Sequence, residues 1–152
     1  QIALLSDGNI HLALELSSNS KFDETFSELE NLIGMITKVN ENGWRKFIDS
    51  FSMMAHRKPN EFKFKIYMLQ LWFHFAYSNR LQKSDYSKFE FLLEPLATFN
   101  SAFPSADLAG INLILEETLQ SLTRNYYTPL TLTNLLISMQ RLLKGKEPIS
   151  IL

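Results

Sequence analysis

Three histidines, His11, His56 and His74, are the residues of this chain best suited to move a proton or hold a metal, and their spacing supports neither chemistry. No two stand three or four residues apart, so no helical turn offers a pair of imidazoles to one ion. His-Glu-x-x-His and Glu-x-x-His are absent, and no paired Asp/Glu cluster takes their place. Cysteine is missing altogether, which removes thiolate catalysis, Cys-based zinc sites and disulfides. The five glycines, Gly8, Gly34, Gly43, Gly110 and Gly145, lie too far apart for a phosphate-cradling loop of either common type. Gly-x-Ser-x-Gly is absent too, and the serines are scattered at positions suited to helix caps. Glu116-Glu117 fits a solvated helix face. His74 falls in an aromatic segment as a core or boundary residue. His56, in His-Arg-Lys-Pro, suits a cation at a helix C-terminus. The expectation is a protein with no catalytic residue, no metal and no cofactor, although a triad assembled only in space would leave no trace in sequence.

Charge placement carries more information. Residues 1–37 hold one lysine against six acids, a net −5, and residues 38–88 hold ten bases against four acids, a net +6. The remainder carries −2, so a chain of net charge −1 is electrically polarised along its length. The candidate partner-binding residues are Arg45, Lys46, Arg57, Lys58, Lys63, Lys65, Arg80, Lys83 and Lys88. Brought together, they would form a patch for an acidic or phosphorylated peptide, or for a nucleic-acid backbone. Left apart, they would only solvate separate faces and pair with acids of the first helices. Lys63 and Lys65 flank Phe62 and Phe64 in the manner of a single-strand binder, but buried aromatics cannot stack bases.

A second surface would be apolar. Twelve Phe, five Tyr and two Trp exceed what helix propensity favours. Core filling accounts for most of them. A surplus near helix ends, such as Phe99, Phe103, Tyr126 and Tyr127, would leave a groove for a partner helix or short motif.

These side chains must be positioned by helices. Phe22, Phe26, Leu29, Ile33, Ile36 and Val39 recur at helical spacing over 21–39, with Ser20 as N-cap and Asp23 in capping-box position. The next helix opens after Asn42-Gly43, carries Trp44, Phe47, Ile48, Phe51 and Met54 on one face, and stops before Pro59. Asn60 is then placed to cap residues 61–77, EFKFKIYMLQLWFHFAY. Phe62, Phe64 and Ile66 alternate like a strand, but about 17 residues suits a helix better. Apolar side chains surround this helix on every side, which marks it as the central pillar. Gln70 and His74 interrupt it, and Lys63, Lys65 and Arg80 flank it, so it is no membrane span, which needs about 20 apolar residues.

Ser84 opens a segment running through Phe89, Leu92, Leu96, Phe99 and Phe103, with a kink or break expected at Pro95. Ser105 opens a helix through Leu108, Ile111, Leu115, Leu119 and Leu122. Thr128-Pro129 starts another, through Leu132, Leu135, Leu136, Met139, Leu142 and Leu143, which Gly145 ends. Within residues 1–18, Ile10, Leu12, Leu14 and Leu16 alternate with His11, Ala13 and Glu15 like a strand, but no partner strand is signalled, so a helix from about Asp7 to Leu16 is preferred.

The sequence thus specifies one all-α domain over 1–152, with 1–18 and 146–152 as loose ends. It has six to seven helices, in a compact antiparallel bundle or an irregular right-handed stack of helical hairpins. No repeat of the common helical solenoids occurs. At 152 residues, 45% of them hydrophobic, the chain can bury a real core. The absence of Cys and of Asn-x-Ser/Thr fits an intracellular protein, cytoplasmic or nuclear, and Gln1 in place of Met fits a domain excised from a larger one. The expected function is a scaffold or adaptor domain that docks a partner peptide or helix beside the aromatic helix. RNA binding through residues 38–88 is the alternative, followed by a small-ligand or catalytic helical bundle. No membrane partner is expected, and homodimerisation through a spare apolar face stays open.

Overall fold

A computed structural model describes residues 22–81, 90–122, 124 and 127–149. Among them are six helices and no strand: α1 (Phe22–Thr37), α2 (Glu41–Arg57), α3 (Pro59–Arg80), α4 (Glu90–Ala102), α5 (Leu108–Leu122) and α6 (Thr128–Leu143). The all-α expectation holds. The helix expected at 7–16, the Ser84 start, and Tyr126 lie outside the described residues.

Helix α3 is the pillar, packing against α1, α2, α4 and α5. Phe62, Ile66, Leu69, Phe73 and Ala76 on one side are fully buried, and Met68, Leu71, Trp72 and Phe75 bury the flanks. Besides the first two turns, one narrow stripe runs open or half-open along the helix. Lys63, His74 and Tyr77 are exposed, and Tyr67 and Gln70 between them are half-buried. Their spacing of four, three, four and three residues traces a single line along the helix. His74 therefore sits in solvent rather than in the core or at its edge.

Around the pillar, aromatic rings lock helices together. Trp72 meets Phe99 of α4 edge-on at 4.8 Å, and Phe51 of α2 meets Phe62 at 5.9 Å. Such pairs add about 0.5–1.5 kcal/mol beyond their burial. Arg80 closes the end of α3. Its guanidinium donates to the carbonyls of Ala106 at 2.7 Å and Phe103 at 2.9 Å and to Asn100 Oδ1 at 3.2 Å. Asn100 in turn donates to the Ala76 carbonyl and to Asn79 Oδ1, both at 3.0 Å. The cation thus caps the C-terminal end of α4, where the helix dipole is negative.

Helix α5 runs antiparallel to α3, because Arg80 reaches Ala106 while Gln70 donates to Glu116 at 3.2 Å. Helix α6 runs antiparallel to α5: the Asp107 amide donates to the Leu142 carbonyl at 2.9 Å. Gly145, at φ +72°, ends α6 as expected. Its amide donates to Leu142 and that of Lys146 to Arg141, which together form a Schellman closure.

Several helix starts differ from the sequence expectation. Helix α2 begins at Glu41 because Asn40 caps it, accepting from the amides of Asn42 and Gly43. Asn60 caps nothing: Pro59 occupies the start of α3, and only Lys58 separates it from α2. Asp107, not Ser105, serves α5, accepting from the Gly110 amide at 2.9 Å. Tyr127 precedes α6, so Thr128 lies inside it. Helix α4 continues through Pro95, which lies in its second turn and removes only one ladder donor.

Candidate functional site

Seven of the nine basic residues are described, and these seven do not gather at one place. Arg45 and Lys46 lie near the start of α2 and Arg57 at its end, about 18 Å along the axis. Arg45, Lys46, Arg57, Lys58 and Lys63 are exposed. Arg45 reaches Glu41 at 3.3 Å, and Lys58 reaches Glu61 at 3.7 Å. Lys65 reaches from α3 to Glu28 of α1 at 3.9 Å. Arg80 is engaged in the α4 cap. Lys83 and Lys88 lie outside the described residues. Among the described candidates, the turn between α2 and α3 holds the largest group, with Arg57 and Lys58 adjacent and Lys63 beyond them.

Lys65 leads to a different feature. A groove of about 570 Å³ opens between α1 and α3, with α2 beneath. Its floor is the buried trio Leu29, Phe51 and Met68, and its walls are the half-buried Leu32, Met35 and Phe64. Glu28, Asn31, Glu61 and Lys65 complete the lining.

Helix geometry explains the groove. On α1 the core stripe is Leu29, Ile33 and Ile36, all buried. Leu32 and Met35 lie beside that stripe, so α1 has a wider apolar arc than its packing covers. Phe64 and Met68 form the matching pair on α3, four residues apart. The sequence expectation named none of Leu32, Met35 and Met68 as a site residue. The available signal was the pair of apolar positions on α1 in excess of the core stripe.

Helix α1 is held in place by a neighbouring helix that is remote in sequence. Gln140 of α6 is buried, and its Nε2 donates to the carbonyls of Ile36 and Thr37, both at 2.9 Å. These carbonyls have no successor amide within their helix. The groove wall is therefore anchored by a side chain 104 residues away.

A second depression, of about 660 Å³, lies between α5, α6 and residues 148–149. Its exposed lining is mostly apolar surface with polar side chains interspersed, and three of its hydroxyls donate within their own segments. Thr118 donates to Ile114 at 2.8 Å, Ser121 to Thr118 at 2.7 Å and Thr131 to Tyr127 at 3.2 Å, each to a backbone carbonyl. Among the described residues no three His, Asp or Glu side chains group as metal ligands. No helix of the described residues is long and apolar enough to cross a membrane.

Of the aromatics suspected of surface roles, Phe99 is buried, Phe103 packs against the core, and Tyr127 is 72% exposed. Compared with known protein families, characterised proteins and solved structures, the chain matches none.

Proposed function

We propose that this chain is a protein-interaction domain whose α1–α3 groove receives a helix of a partner protein. One observation carries the proposal: Leu32, Met35 and Phe64 stand half-exposed over the buried floor of Leu29, Phe51 and Met68. Three such side chains on facing helices match what an amphipathic helix presents at positions i, i+3 or i+4, and i+7. Methionine on both helices, Met35 in the wall and Met68 in the floor, gives the groove an adaptable surface, because its unbranched thioether repacks at little cost.

A small-ligand site would be expected to converge several polar groups on its interior. Here the polar groups stand at the rim, where Lys65 and Glu28 face each other across the opening. Among the described candidate cations only Lys65 lines the groove, so apolar contact supplies the docking energy and charge tunes it.

The test is selection of helical peptides from a displayed library on the 152-residue chain, followed by measurement on Leu32→Glu and Met35→Glu variants. Both substitutions sit at half-buried positions, and circular dichroism checks that the variants remain helical. Peptides that bind the parent and lose at least about tenfold on either variant support the groove. Peptides that bind all three chains equally refute it. A phosphate-backbone ligand is separated by salt, since its binding falls steeply as ionic strength rises while apolar docking persists.

A further inference from the structure

The depression between α5 and α6 shares no lining residue with the α1–α3 groove and places its polar groups differently. On α6, Thr131, Asn134, Leu135 and Ser138 recur at three- and four-residue spacing, so one face of the helix fronts the space. Ile114 of α5 and Leu135 are buried and give it an apolar interior. Pro148 and Ile149 line it as well, and Arg141 Nε, donating to the Glu147 carbonyl at 2.6 Å, ties that tail to α6.

Ser138 stands out within this lining. It is 3% exposed, yet its hydroxyl has no hydrogen-bond partner among the described residues. Thr118, Ser121 and Thr131 each donate to a backbone carbonyl three or four residues back. A serine inside a helix can do the same, and Ser138 does not. Asn134, one turn earlier on the same face, is half-buried and also without a partner among the described residues. A buried hydroxyl left unpaired is costly, and this one fronts a space of about 660 Å³.

We infer that this cavity binds an uncharged small molecule with an apolar body and an amide or alcohol head. Its volume falls in the range of small-molecule sites, and it joins apolar walls to a few convergent polar groups as such sites do. The Asn134 amide and the Ser138 hydroxyl each offer a donor and an acceptor, which an amide or alcohol matches on both counts. The charged members of the lining, Glu117 and Arg124, are exposed and opposite in sign, so they select neither an anion nor a cation. A charged head brought to Ser138 would lose its hydration without gaining a counter-charge. The site is independent of partner docking between α1 and α3.

The test titrates the 152-residue chain with hydrocinnamamide and with two charged analogues of the same body, hydrocinnamate and phenylpropylammonium. Methyl spectra follow Ile114, Leu135 and Ile149, with Met35 and Met68 as the control for the other groove. The amide is expected to shift the first three and to bind about fivefold or more tighter than either charged analogue. Ser138→Ala should weaken the amide about fivefold. The same substitution should leave Tm unchanged or raised, because the hydroxyl it removes has no partner in the free chain. A Tm that falls would make the hydroxyl structural and overturn the inference. Equal binding of amide and charged analogue, or an affinity untouched by Ser138→Ala, overturns it too. So does the absence of any shift at about 10 mM probe, or shifts at Met35 and Met68 in place of Ile149.

Discussion

Gln140 Nε2 donates to the Ile36 carbonyl at 2.9 Å and so ties the end of α1 to α6, 104 residues away in sequence. The same nitrogen serves Thr37, also at 2.9 Å, so one buried amide closes two carbonyls of the helix that forms the groove wall. Gln140→Leu leaves both carbonyls without that donor, at a cost of about 1–3 kcal/mol. The expected result is a drop in Tm of roughly 2–4 °C per kcal/mol and faster amide exchange over the last turn of α1. Unchanged exchange there would show that the bond is not what holds α1.

Arg80 does a comparable job for α4 and the connection after it. Its planar fork reaches two carbonyls and an amide oxygen together, which an ammonium on a flexible stem cannot reproduce. Arg80→Lys keeps the charge and should still lose about 1–3 kcal/mol in urea unfolding. A Lys variant as stable as the parent would mean that charge alone suffices at this position.

The pillar and its solvent stripe should respond oppositely to truncation. Trp72 is 2% exposed, and Trp72→Ala should cost about 3–5 kcal/mol. His74, two residues on, is exposed, and His74→Ala should stay within about 0.5 kcal/mol. Denaturant midpoints measure both. Equal losses would contradict the assignment of one face to core and the other to solvent.

Two glycines make opposite predictions for alanine. At Gly145 the backbone has φ +72°, and an added Cβ would lie 2.8 Å from the Ser105 carbonyl oxygen. Gly145→Ala should destabilise by about 1–2 kcal/mol or more. Gly34 lies within α1, and a Cβ there meets nothing within 4 Å. Gly34→Ala should stabilise by roughly 0.5–1 kcal/mol. Thermal unfolding of the pair gives a signed check on the backbone.

Residues that act through local pattern were legible in the sequence. The all-round apolarity of 61–77 announced a buried helix, and Gly145 announced an end, because each signal depends on neighbours a few residues away. Helix starts were less legible, since Asn40, Asp107 and Asn60 are all competent caps and chain geometry decides which is used. His74 was misplaced because the solvent stripe of α3 contains two tyrosines, which disguise it as apolar. Contacts such as Gln140 with Ile36 join residues 104 apart, and no local pattern encodes them. The groove fell between these cases: Leu32 and Met35 were visible as apolar, but only the packing shows that α1 leaves them partly uncovered.

The chain carries its own reporters for the central claim, that a partner helix docks between α1 and α3. Of its five methionines, Met35 and Met68 line the groove, Met53 is 55% exposed on α2, and Met139 is fully buried in α6. Methyl spectra of the chain labelled at the methionine Cε report on these positions separately. On titration with a selected helical peptide, the Met35 and Met68 signals should shift while those of Met53 and Met139 stay in place. Shifts centred on Met53, or binding that leaves Met35 and Met68 unmoved, would contradict the groove.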